Sequence, residues 1–310
     1  DKAKTKEQKQ SDDNLKRLQA GTAFEKTKLR AETAELRSKT AELQAQIVEL
    51  SSNQTPPEPE IIIQTVEHQT YFQAKSAPEN TLIEIAAIQK TLEESDGDYY
   101  DFFESSENEI TVTLGDATKR DHDAGLLVAS TRAALIHSTF SGIKPSAEFL
   151  NKTIHELTLD KEVFMALALA QFSKTDEKNG ITMKLAGGAI PPVYILRSNG
   201  SVEEYVMETL PLGASSVQKY SLFDVDLLTD DLVIFISDGL SKRVNSKNEA
   251  LGNDRLHKLV RGFGKVYGKL DSRRKAKSQN VAELMVSIGE KWSEGTPQND
   301  DITVLVAKVK

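Results

Sequence analysis

Along residues 15–50 leucine returns with a period of seven. Leu29, Leu36, Leu43 and Leu50 stand one heptad apart, and Thr33, Thr40 and Ile47 each precede one of the last three by three positions. TAEL occurs at 33–36 and again at 40–43, there is no proline, and only Gly21 interrupts the stretch. Leucine at d with a β-branched residue at a predicts a parallel two-stranded coiled coil. The apolar stripe is narrow, which favours a coil between chains over a helix packed on its own domain. Threonine is a weak a residue, so modest stability is expected. SSNQTPPEPE (51–60) stops the helix, because proline lacks the amide hydrogen and clashes with the preceding turn. The chain therefore divides into a coiled-coil dimerisation helix over 1–52, a stiff Pro-rich linker over 53–60, and a folded domain over 61–310.

In that domain apolar runs alternate with turn signals. Strands are expected at 61–66, 110–114, 163–172, 181–186, 193–197, 202–206, 232–237 and 302–307. TDEKNG (175–180) and RSNGS (197–201) each join two of them as a hairpin. The 3.6-residue period predicts helices at 80–93, 123–138, 145–157, 253–262 and 279–293, with Asn280 or Ser278 as the cap of the last. Strands joined by hairpins, with helices between them, predict an α+β domain of antiparallel sheets. A sandwich with helices on its outer faces would bury the apolar runs on both sides.

Charge narrows the function. The chain carries −8 overall. Residues 1–50 hold 11 basic and 9 acidic side chains, so the remainder carries −10 (−8 less +2). Such a domain suits cations and excludes general nucleic-acid binding, which needs clustered Lys and Arg. With 0 cysteines there is no disulfide, no thiolate metal site and no cysteine nucleophile. A reducing, cytoplasmic setting is expected. No apolar run reaches the roughly 20 residues of a bilayer span, and no signal peptide is visible. The chain starts at Asp1, so a membrane-bound or sensory region upstream is compatible with it.

Four acidic sites fall where strands meet turns. They are DGDYYDFF (96–103) with Asp98 and Asp101, LGDAT (114–118) with Asp116, ISDGL (236–240) with Asp238, and QNDDIT (298–303) with Asp300 and Asp301. Any one Asp beside a Gly is ordinarily just a turn. Several carboxylates meeting at one point repel each other unless protonated or neutralised by cations. An all-oxygen set with few histidines suits Mg²⁺ or Mn²⁺ rather than zinc.

The order of these sites resembles the bacterial SpoIIE/RsbU-type branch of the PP2C (PPM) phosphatases. The matching stretches are DGDYYDF (96–102), GDATKRDHDAG (115–125), LAGGAIPP (185–192), LPLGA (210–214), SDGL (237–240) and NDDIT (299–303). The resemblance implies a PP2C-like α/β/β/α sandwich and a protein-serine/threonine phosphatase. It implies two Mn²⁺ or Mg²⁺ ions held by Asp98, Asp116, the Ala117 carbonyl, Asp238 and Asp300. Asp116 would bridge the ions, and Asp98 and Asp116 would be the catalytic pair. Asp301 is expected to orient a neighbour. Two divalent ions so held acidify water and neutralise phosphoryl oxygens. The implied substrate is a phosphoserine or phosphothreonine protein, a STAS-domain anti-anti-sigma factor being the candidate. The coil would make a homodimer and transmit an upstream signal.

The chain departs from the family where GHG is replaced by Lys119, Arg120 and Asp121. Losing both glycines restricts the loop and brings two cations close to a cation site. Arg120 is a candidate contact for substrate phosphate. The alternative is a degenerate pseudophosphatase acting as a dimeric signalling scaffold. Asp96 stands where the family has Gly, and AGGAIPP is about one residue longer than the family form. His122 lacks ligand partners in the sequence, His137 and His155 fall within helices, and Trp292 is expected in the core. GFGKVYGK (262–269) fails the spacing of a phosphate-binding loop, and KLDSRRKAK (269–277) is expected to be a solvated loop.

Overall fold

Strands with apolar side chains on both faces need cover on both sides, and the fold provides it. The computed structural model describes residues 77–92, 97–118, 122–138, 142–158, 163–175, 180–272 and 274–310. The expected coil, the linker, the strand at 61–66 and the Lys119–Arg120–Asp121 triplet lie outside the described residues.

One sheet orders its strands as β1 (Ile83–Lys90), β10 (Ile302–Val309), β9 (Leu232–Ile236), β6 (Val193–Leu196) and β7 (Val202–Tyr205). The other runs β2 (Asp98–Ser106), β3 (Glu109–Ala117), β4 (Met165–Lys174), β5 (Ile181–Gly188) and β8 (Phe223–Leu227). All strand pairs are antiparallel. The inner faces meet in one core, with Ile110, Val112 and Leu114 from β3 against Val233, Phe235, Leu305 and Ala307 from the opposite sheet. On the outer face of the second sheet α1 (His122–Ser138) and α2 (Ile143–Leu157) bury Leu127, Leu135, Leu150 and Ile154 against Tyr99, Leu167 and Leu169. On the first sheet α4 (Asn253–Tyr267) packs against β7, and α5 (Ser278–Trp292) against β1 and β10. A five-residue helix, α3 (Asp238–Lys242), follows β9 directly. The layers are therefore the expected α/β/β/α sandwich of antiparallel sheets.

Several expectations need correction. The periodicity predicts a helix over 80–93, but 83–90 form β1, paired in full with β10 from Ile83↔Val309 to Lys90↔Ile302. Helix formers such as Leu82, Glu84 and Ala86 suggest a helix; the sheet edge beside β10 overrides that propensity. β2 and the edge strand β8 are not among the expected strands. Ser278 does not cap α5 with its own side chain; it is the first helical residue, and its N–H and hydroxyl donate to the Glu84 carboxylate at 2.8 and 2.7 Å. Trp292 is only half-buried: its indole donates to Glu249 O at 3.0 Å and Arg255 lies over its ring. Most of the 262–269 run belongs to α4. Within the basic run, the Lys275 side chain is buried and donates to Ser198 O at 2.8 Å.

Candidate active site

Alternation along four strands delivers polar side chains to one end of the inter-sheet core. Tyr100, Leu114, Phe235 and Leu305 line that core. Two residues further along, on the same face, come Asp98, Asp116, Ser237 and Thr303. β2 and β3 pair so that Asp98 stands directly opposite Asp116. From the other sheet, the Thr303 hydroxyl donates to Asp98 Oδ2 at 2.6 Å. The Ser237 hydroxyl also bonds Asp98, and it accepts the Thr303 N–H at 2.9 Å. Asp98 is buried, while Asp116 is partly exposed. Burial, and after it the facing Asp116 carboxylate, push the Asp98 carboxyl well above the ordinary aspartate range. The Thr303 and Ser237 hydroxyls oppose that rise, and Asp301 adds to it.

The second acidic pair belongs to α3 and to the turn before β10. Gly239 lets these segments touch: a Cβ there would stand 1.8 Å from Asp301 O and 3.2 Å from Asp300 Cβ. The Lys242 ammonium bonds Asp238 Oδ2 at 2.7 Å and Asp300 Oδ2 at 2.9 Å, joining the two carboxylates. Asp301 holds the segment before β2 by accepting the Leu92 N–H at 2.7 Å and the Gly97 N–H at 3.2 Å. Ala117 donates its N–H to Gly97 O at 2.9 Å. Arg243 pins the preceding turn through Pro297 O at 2.8 Å and through the Ser293 hydroxyl.

The acidic residues singled out in the sequence thus separate into roles. Asp98 and Asp116 form one pair; Asp238 and Asp300 form another, one residue along the chain from Ser237 and Asp301. Asp101 points to the opposite face, where it accepts Arg132 Nε at 2.6 Å and ties α1 to β2. Among the described residues, no three acidic or histidine side chains converge as a ready-made metal cage. The donors are nonetheless the type a hard divalent ion takes: carboxylates in pairs, one carrying costly buried charge and the other drawn onto an ammonium. Arg120 lies outside the described residues, and His155 bonds Gly213 O at 2.8 Å. Sequence reasoning misses Thr303, Ser237 and Lys242. Thr303 follows the NDD run by two positions, and Lys242 lies one helical turn after Asp238; those spacings are the available signal.

The family model described as Stage II sporulation protein E (SpoIIE) matches residues 106–310. The chain belongs to this family. Asp98 lies just before the matched span; Asp116, Asp238 and Asp300 lie within it. The SpoIIE domain is similar to phosphoserine phosphatase RsbU of Bacillus subtilis (strain 168), 26% identical over 202 residues, or 65% of this chain. The chain spans only 58% of the length of RsbU. Two solved structures share the fold. The SiaA-PP2C domain of Pseudomonas aeruginosa superimposes with a TM-score of 0.61 at 17% identity, covering 73% of this chain and 86% of that one. The PP2C phosphatase domain of SpoIIE from Bacillus subtilis, with a fragment of its regulatory domain, gives 0.57 at 21% identity, covering 74% and 62%. The SpoIIE domain described here accordingly has the fold of these PP2C domains. Among the described residues, no helix is long and apolar enough to cross a membrane.

Proposed function

We propose that this SpoIIE-family chain hydrolyses phosphoserine or phosphothreonine in a protein substrate, with two divalent cations, Mn²⁺ or Mg²⁺, at the end of the sandwich. Asp98, Asp116, the Ala117 carbonyl, Asp238 and Asp300 would hold the ions. Bound there, divalent cations supply Lewis-acid activation of water and neutralise charge on the phosphoryl oxygens. The protein's part is positional. Thr303 and Ser237 fix the Asp98 carboxylate from the opposite sheet, Asp301 fixes the approach to β2, and Arg243 fixes the turn that carries Asp300. Family membership supports the reaction class. The observation that carries the reading is the Asp98–Asp116 pair, set face to face at a buried strand end with hydroxyl donors aimed at it.

The substrate class and assembly rest on resemblance: a STAS-domain protein as substrate, Arg120 as a phosphate contact, and a cytoplasmic homodimer regulated through residues 1–52. One observation favours a second reading, a non-hydrolysing scaffold: Lys242 already bridges Asp238 and Asp300. Hydrolysis of a phosphoserine peptide, with and without Mn²⁺, separates the two. The enzyme predicts Mn²⁺-dependent turnover that Asp116→Asn lowers by about 100-fold or more. No turnover by the unaltered chain at any Mn²⁺ concentration would favour the scaffold.

A further inference from the structure

The Asp238–Asp300 pair is neutralised by a side chain of the chain itself. Between Asp238 and Asp300 sits a full positive charge, the Lys242 ammonium, at 2.7 and 2.9 Å. These distances are those of charge-assisted hydrogen bonds. An ion drawing on the Oδ2 oxygens of Asp238 and Asp300 must therefore displace that ammonium.

The lysine is built to be displaced. Its side chain is 51% exposed, whereas that of Asp300 is 11% exposed, so the ammonium can swing into water while the carboxylate stays in place. Its backbone is anchored just after the side chain: the Lys242 carbonyl accepts Asn299 Nδ2 at 3.2 Å, and the guanidinium of the next residue, Arg243, donates to Pro297 O. The four-carbon stem can move without disturbing α3. A single charge on a flexible stem also neutralises two carboxylates incompletely, so a divalent ion retains an electrostatic advantage there.

Resting on the metallophosphatase reading, we propose that Lys242 is an internal counter-cation that competes with a divalent ion for Asp238 and Asp300. Competition with the ammonium weakens the Asp238–Asp300 half, which then fills at a higher metal concentration than it would without Lys242. Activity would follow the free divalent-ion level through that half.

Titration of the full chain with Mn²⁺ by calorimetry tests this without reference to turnover. The unaltered chain should show two binding events. Lys242→Gln should tighten one of them about tenfold or more and leave the other within about twofold. Lys242→Arg, which keeps the charge, should behave like the unaltered chain. A second readout needs no variant: on titration with Mg²⁺, the Lys242 Nζ resonance should move during only one of the two events. Binding events that Lys242→Gln leaves unchanged or loosens, or an Nζ signal indifferent to Mg²⁺, would overturn the inference while leaving the phosphatase reading intact. Absence of Mn²⁺ binding to every one of these chains would overturn both.

Discussion

At the scale of residues, the site is governed by the cost of placing negative charge at the end of an apolar core. Asp98 carries the largest share, because it is buried and faces Asp116. Its folded carboxyl titrates above its unfolded one, so without metal the folded state holds more protons over that interval. Stability then falls as pH rises from the ordinary aspartate value through the raised one. Asp98→Asn should remove that fall and raise the unfolding temperature in EDTA at neutral pH, while abolishing Mn²⁺-dependent turnover. If the Asp98→Asn variant melts lower than the parent at neutral pH in EDTA, this assignment of strain is contradicted. Thr303→Val, which removes the 2.6 Å bond to Asp98, should cost about 1–3 kcal/mol in urea unfolding and weaken Mn²⁺ binding. The acidic residues were legible in the sequence because each lies at a strand end beside a turn. Thr303 and Lys242 were not, because their roles depend on partners 205 and 58 residues away, which only the packed sheets bring near.

At the scale of elements, the site depends on two contacts between segments. Gly239 brings α3 onto the turn before β10, where a Cβ would meet Asp301 O at 1.8 Å. Gly239→Ala should therefore lower stability by about 2 kcal/mol or more and displace Asp300 and Asp301 together, seen as a joint loss of Mn²⁺ affinity and thermal stability. Full stability and unaltered Mn²⁺ affinity in the Gly239→Ala variant would count against that contact. Behind β4 and β5, Leu150 of α2 is fully buried. Leu150→Ala should cost about 2–5 kcal/mol in urea unfolding, with Mn²⁺ affinity little changed, since α2 packs on the outer face of the sheet. The periodic signals located most strands and four helices to within a few residues. They failed at β1, where helix-forming residues at 83–90 are recruited to the edge beside β10, and at β8, a short edge strand whose pattern FDVDL is weak taken alone. Pairing with a distant strand decides both cases, and no local window contains that information.

At the scale of the molecule, the SpoIIE domain places its acidic end between the sheets and its helices on the outer faces. That leaves the sheet ends as the places where loops and charge gather. The heptads at 29–50 predict that the full chain sediments as a dimer and that a chain lacking residues 1–55 sediments as a monomer. Coupling through the coil further predicts that this deletion changes phosphatase activity or its regulation; equal turnover and equal regulation in the two chains would discard that coupling. On the proposed function, the two acidic pairs act as one divalent-ion centre. Anomalous diffraction at the manganese edge, from crystals soaked in Mn²⁺, tests it most directly. Peaks are expected about 2.0–2.6 Å from the carboxylate oxygens of Asp98 and Asp116 and of Asp238 and Asp300, with the Lys242 ammonium withdrawn. Saturating Mn²⁺ that leaves this end of the sandwich without anomalous density, or places it only elsewhere, would contradict it.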